Sequence, residues 1–390
     1  MHPLGEHRGR TGHEEPEELG ERNAEVGDHR REDGAAVIGV HASALTRSPA
    51  ACQAAPALNH SSRFGRRSRG SIVADVERHA HRHGGYERLA WLTVAFTVLV
   101  ILFGAWVRIT GSGAGCGQHW PTCHGEIIPR TDSMQTVIEF THRLTSGVDG
   151  LLALALPILA WRLFPRGHAT RRFAVISFAL LIVEALLGAG LVVFELVEHD
   201  ASWARLIVMP VHLTNTLLLL GAMVLTAWTS GGHPPPRWRG PAGRIALVGL
   251  VTTMVVSQLG AITALGDTVF PVLDAGLGAR LADVHRDSSH LLERVRLVHP
   301  VIATAAALYL FYLPALLDRV GASAVGPWGT AVSVTVGVQL IAGLVNILLS
   351  APGWMQLVHL ALADGLWIAL LLLAARATQP ESTARPSAAA

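Results

Sequence analysis

His142, His212, His299 and His359 each sit about one and a half turns into a separate apolar stretch, all near the same end of it. An imidazole inside an apolar span is costly and normally has a partner. Neutral imidazole is a good axial ligand for iron. Two pairs at matched depth, His142 with His212 and His299 with His359, therefore point to two sites, each clamping a planar metal macrocycle such as haem between helices. The plainer alternatives are hydrogen-bonded core residues or steps of a proton relay.

Glu139 lies on the helix face of His142, three residues before it. A carboxylate there can move protons, bind a substrate edge or fix the histidine tautomer. Arg296 occupies the equivalent place before His299, so the acid belongs to one site only. That asymmetry predicts one reactive site (Glu139, His142, His212) and one that holds a permanent cofactor (His299, His359). Arg143 and Arg296 lie near the rim, either as partners for propionates or as snorkelling interfacial arginines. Cys116 and Cys123 suit a disulfide on an oxidising face. With His119 and His124 they also form a competing metal set, although the spacing fits no common zinc pattern. Glu184, Gln258, Gln339, Asn346 and Asp364 are polar groups in other spans, either lining the clefts or bonding between helices.

The elements that must position these groups are membrane spans. The 390-residue chain is 50% hydrophobic and only 15% charged, without a single lysine. Its charges crowd into the first 87 residues and short loops, the distribution of a polytopic membrane protein and not of a soluble or nucleic-acid-binding one. Apolar runs predict eight spans, at about 89–107, 136–160, 173–194, 206–228, 243–265, 296–317, 328–350 and 354–375. Arg162, Arg166, Arg171 and Arg172, then Arg237, Arg239 and Arg244, then Arg319, occupy acid-poor loops on one side. The opposite loops mix arginines with Glu195, Glu198, Asp200, Asp283, Asp287 and Glu293. The positive-inside rule then makes both termini cytoplasmic and puts all four histidines in the outer half of the membrane.

Spans one to four resemble spans five to eight. Gly104-Ala105 matches Gly260-Ala261, Glu184 through Gly188 matches Gln339 through Gly343, and the histidine pairs correspond at offsets of 147 to 157 residues. A four-span unit begins and ends on one side, so its copy keeps the same orientation. The fold class expected is an all-α membrane protein of eight transmembrane helices, arranged as two tandem four-helix bundles about a pseudo-two-fold along the membrane normal. The divisions expected are a disordered cytoplasmic tail over 1–87, bundles over 88–230 and 243–376, and a cytoplasmic tail over 377–390. The first tail holds nine of the 20 histidines, and Cys52 as a free thiol. His79, His81 and His83 read as solvated linker in preference to a metal site. Met134 is the next methionine after Met1, so a start near Val73 through another start codon is a second reading of the tail.

Gly104-Ala-Trp-Val-Arg-Ile-Thr-Gly-Ser-Gly113, followed by Cys116, Trp120-Pro-Thr-Cys-His124-Gly and Pro129, resembles the first outer loop of the haem A synthases. Ile138-Glu-Phe-Thr-His-Arg143, Val211-His212-Leu213, Leu297-Val-His-Pro300 and Gln356-Leu-Val-His-Leu360 extend the resemblance over about residues 88–376. It implies an oxidoreductase of the bacterial plasma membrane that converts the C8 methyl of haem O to a formyl group by two hydroxylations and loss of water. His142 and His212, with Glu139, would take the substrate haem, while His299 and His359 would hold a resident haem b. Cys116 and Cys123 would be the cysteine pair of the first loop. Haem O synthase and terminal-oxidase assembly factors are the partners to expect, with membrane lipid around them and no nucleic acid. Some bacterial members carry a second cysteine pair in the third outer loop, whereas 266–292 has no cysteine here. The same histidines would equally suit a di-haem electron-transfer cytochrome, and a parallel-repeat transporter is a third reading.

Overall fold

The computed structural model describes residues 69–130, 133–198, 200–270, 291–322 and 325–379. Most of the long tail with Cys52, the loop bearing Asp283 and Asp287, and residues 380–390 lie outside the described residues. Eight helices follow in order: α1 Arg69–Ile109, α2 Met134–Leu163, α3 Ala169–Val193, α4 Trp203–Ser230, α5 Pro241–Val269, α6 Leu291–Arg319, α7 Gly326–Leu348 and α8 Gly353–Ala377. All eight are long and apolar enough to cross a membrane, and the chain is a multi-pass membrane protein. Among the described residues the one β-type contact is an isolated bridge between Cys123 and Glu126.

Helix ends fall within a few residues of the apolar runs because local chemistry stops them there. Ser133 accepts from Thr136 N at 3.1 Å and Ser202 accepts from Arg205 N at 3.3 Å, satisfying first-turn donors of α2 and α4. Proline occupies the opening turn of α5 and of α7, where its missing N–H costs nothing. The first helix departs from expectation. It starts at Arg69, well inside the stretch expected as tail. Residues 69–82 contain no proline, so a helix nucleated by the apolar span extends backwards at little cost.

Hydroxyls within the spans turn back onto their own helix, as when Thr97 Oγ1 donates to Thr93 O at 2.9 Å. Polar ties also link helices: Tyr86 Oη donates to Leu156 O at 3.1 Å, and Thr97 Oγ1 meets Asp149 Oδ1 at 2.9 Å. In α1–α4 each helix packs on two others, α1 and α3 both touching α2 and α4. The same holds in α5–α8, where α5 and α7 both touch α6 and α8. The two sets meet where α4 packs on α8, α4 on α5 and α1 on α8. One apolar core runs through this junction, with Leu220, Met223 and Val224 of α4 against Trp367, Leu370 and Leu373 of α8. Outward faces carry exposed Leu99, Leu151, Leu186, Val301 and Ile341, the surface that meets lipid.

Two contacts bolt the sets together. Trp367 Nε1 donates to Leu217 O at 2.8 Å across the α4–α8 contact. At the other end Arg108 of α1 donates to Ala264 O of α5 at 2.9 Å and to Gln356 Oε1 of α8 at 2.8 Å, and also bonds Thr268. The α4–α8 approach depends on Gly221, where a Cβ would stand 3.3 Å from Leu371 Cδ1 and 3.5 Å from Trp367 Nε1. Gly221→Val should therefore overpack the junction at a cost of about 1–3 kcal/mol. Thermal unfolding in detergent should show a lowered midpoint; an unchanged one would mean that α4 and α8 are not in close contact.

Candidate functional site

Each of the four histidines packs against a glycine on the preceding helix. A Cβ on Gly104 (α1) would sit 3.2 Å from His142 Cε1, and one on Gly260 (α5) 3.1 Å from His299 Cε1. A Cβ on Gly343 (α7) would meet His359 Cε1 at 3.2 Å, and one on Gly188 (α3) would lie 3.7 Å from His212 Nε2. The rings are half-buried, and in every ring Nδ1 is a buried edge without an aligned hydrogen bond. His142 and His212 stand on α2 and α4, and His299 and His359 on α6 and α8, so each pair expected from the sequence occupies the second and fourth helices of its set.

The outer end of α2 is a clamp on the loop that follows α1. Gly115 lies on the backbone of Gln135 and Thr136 so closely that a Cβ would stand 2.7 Å from Thr136 N, and Thr136 Oγ1 donates to Gly115 O at 2.6 Å. The next residue, Cys116, donates its N–H to Glu139 Oε2 at 2.7 Å. Glu139 is 3% exposed and forms an ion pair with Arg143. Arg143 Nη1 in turn donates to His119 O and Thr122 O, each at 2.6 Å. Cys116 and Cys123 are joined in a disulfide, which removes the competing metal set. His124 is used otherwise, its Nε2 lying 2.9 Å from Gly115 O. Glu139 therefore does not touch the ring of His142. It holds the cysteine loop, with His142 one turn further along the same helix.

In the second set the same register carries the opposite charge. Arg296 of α6 donates to Gly266 O at 2.7 Å and to Phe270 O, and its Nε lies 2.9 Å from Asp267 Oδ1. An acid thus grips a loop N–H in one half, and a guanidinium grips helix-terminal carbonyls in the other. Neither Arg143 nor Arg296 is a free snorkelling side chain. Arg205, 3% exposed, likewise donates to Glu198 O and Asp200 O, each at 2.8 Å.

The carboxylate that does approach a histidine is Glu184 of α3, which the sequence left undecided among several polar groups. Its Oε1 lies 3.0 Å from His212 Nδ1. The distance is that of a hydrogen bond although the angle is not. Gln339 of α7 holds the matching place in the sequence but meets the opposite ring nitrogen, its Nε2 lying 3.2 Å from His359 Nε2 and donating to His359 O at 3.2 Å. The signal was present in the repeat: Glu184 and Gln339 each stand four residues before the glycine that backs the histidine. Gln258, Asn346 and Asp364 keep buried polar atoms without a hydrogen-bond partner.

Charged hydrogen bonds of the Arg143 kind contribute roughly 1.5–3 kcal/mol each. Arg143→Ala should loosen the cysteine loop, so that Cys116 and Cys123 are reduced and alkylated faster than in the parent protein under one mild reductant. Equal labelling would show that the clamp does not hold the loop.

Residues 87–371 match the sequence profile of the COX15-CtaA family, described as cytochrome oxidase assembly protein. The chain is 43% identical over 304 residues, 76% of its length, to a protein of Thermus thermophilus named protoheme IX farnesyltransferase, and covers 49% of that relative. It is 41% identical over 143 residues to heme A synthase of Shouchella clausii, 37% of this chain and 45% of that one. Heme A synthase of Bacillus cereus is 39% identical over 138 residues, 35% of this chain and 42% of the relative. The chain spans about half the length of the curated relatives it matches. With a match over most of its length, the chain belongs to the COX15-CtaA family of cytochrome oxidase assembly proteins.

Proposed function

We propose that the protein is a haem A synthase, oxidising the C8 methyl of haem O to a formyl group. The observation that carries this reading is the set of four glycine-backed imidazoles in two pairs, with an acid-held disulfide loop on one pair only. Two imidazoles per cleft are a donor set that would hold a haem iron. Among the described residues no three His, Cys, Asp or Glu converge as a protein-only metal site would need. A name shared with the Shouchella and Bacillus relatives adds support. We read the region shared with the Thermus farnesyltransferase as the haem A-forming part of a longer protein, which makes haem O synthase the natural supplier of substrate. Terminal-oxidase assembly factors are the receiving partners.

In this reading His142 and His212 hold the haem that is transformed, and His299 and His359 hold a resident haem b. When bound, haem b supplies a one-electron redox centre. Glu139, fixed by Arg143 and the Cys116 N–H, presents a carboxylate one turn from His142, where it accepts and returns protons at the substrate edge. The Cys116–Cys123 loop, fastened to α2 through Gly115 and Arg143, closes the outer end of that cleft against water. The domains are two bundles, over 88–230 and 243–376, related by a two-fold along the membrane normal. The closed packing of α1–α4 and of α5–α8, and the correspondence of the α1–α8 and α4–α5 contacts, favour that symmetry. In this reading the protein sits in the bacterial plasma membrane with cytoplasmic termini, a placement that the arginine-rich, acid-poor loops favour.

The decisive experiment is expression of the protein alone and with a source of haem O, followed by extraction of pigments. One b-type haem per chain with newly formed haem A is expected; two b haems and no product would instead make it an electron-transfer cytochrome. Glu139→Ala should keep its haem b while losing product by about 100-fold or more, the scale of a lost acid–base group. Equal loss of haem b in that variant would contradict the division of roles.

A further inference from the structure

The fourth-helix histidines of the two halves stand in unlike electrostatic settings. His212 has the Glu184 carboxylate 3.0 Å from Nδ1, whereas His359 has the neutral amide of Gln339 beside it. Glu184 is held firmly as an acceptor: Asn215 Nδ2 donates to Oε2 at 2.6 Å, and Thr216 Oγ1 bonds Oε1. Thr216 Oγ1 also donates to His212 O at 2.9 Å, tying the Glu184 contact to the backbone of the histidine residue itself. Asn215 is itself fixed by a second bond to Leu180 O at 2.9 Å. Among the described residues no arginine pairs with Glu184, while Glu139 is neutralised by Arg143 and Asp267 by Arg296. Among the described residues Glu184 is thus the acid beside a paired histidine that has no arginine partner.

We propose that Glu184 is a positioning residue for His212, fixing its ring and strengthening it as a donor, so that the two halves hold iron at different reduction potentials. The inference rests on the reading that these histidines ligate haem. A carboxylate at this distance from Nδ1 favours the tautomer that carries its proton there and leaves Nε2 to ligate, and it strengthens that nitrogen as a donor. Stronger donation and an uncompensated negative charge nearby both favour the oxidised metal. The two effects have one sign. Gln339 meets the other ring nitrogen, His359 Nε2, and supplies neither the charge nor a pull on an Nδ1 proton. The His142–His212 site is therefore the lower-potential of the two, and its ring is held by α3, a helix that bears no haem-ligating histidine itself.

Full-length protein in detergent, loaded with protohaem, tests this by potentiometric titration of the haem absorbance. A His299→Ala background, which removes the second-half haem, assigns the transitions. Glu184→Gln should shift the first-half oxidised-to-reduced ratio at fixed potential at least tenfold toward reduced, about 59 mV upward for a one-electron couple. The second-half transition should move less than that. Gln339→Glu should shift the second-half transition tenfold in the opposite sense. Bound haem with midpoints unmoved in Glu184→Gln overturns the inference and leaves the haem reading intact. Should Glu184→Gln shed its first-half haem, Gln339→Glu decides: a lowered midpoint supports the proposal and an unmoved one overturns it. A parent protein that binds no protohaem overturns the haem reading, and this inference falls with it.

Discussion

Contact between a glycine and an imidazole is the constraint on which the rest of the arrangement depends. A histidine ring within an apolar span needs room, a polar neighbour and access to whatever it binds. Gly104, Gly188, Gly260 and Gly343 give that room by letting one helix run close beside the ring on the next. Any side chain at Gly104, Gly260 or Gly343 would crowd its ring. The helix spacing on both sides of each cleft is set by this contact, and the loops then have to close over helix ends whose positions are already decided.

The two halves share this framework and diverge in what they attach to it. In the first half Glu139 and Arg143 seize the cysteine loop; in the second Arg296 seizes Asp267 and the carbonyls at the end of α5. The second solution satisfies carbonyls that a helix end leaves open, whereas the first satisfies a loop N–H and loop carbonyls. Glu184 and Gln339 repeat the theme at the fourth-helix histidines. The glycine–imidazole geometry is thus repeated in both halves while the side-chain charge around it differs.

The halves are also tied to one another. Arg108 leaves its own bundle to bond α5 and α8, and Trp367 reaches from α8 to α4. An arginine buried among carbonyls and an amide has strong reasons to stay there, because its five donors have few other partners away from water.

Eight spans were legible in the sequence because unbroken apolar runs of that length have few other fates, and the register of the four histidines was legible because the repeat displays it twice. The disulfide was one of two readings until the fold engaged His124 elsewhere. The start of α1 was misplaced, since charged residues joined to a long helix can continue it without leaving an apolar signature. Composition and periodicity, which act within one helix, determined the number of spans, the residue types available for chemistry and the asymmetry between Glu139 and Arg296. Tertiary structure alone decided which polar group meets which: that Glu139 serves the cysteine loop, that Glu184 serves His212, and that Arg108 serves the opposite half. Such pairings link different helices, and no spacing along the chain encodes how far apart two packed helices stand.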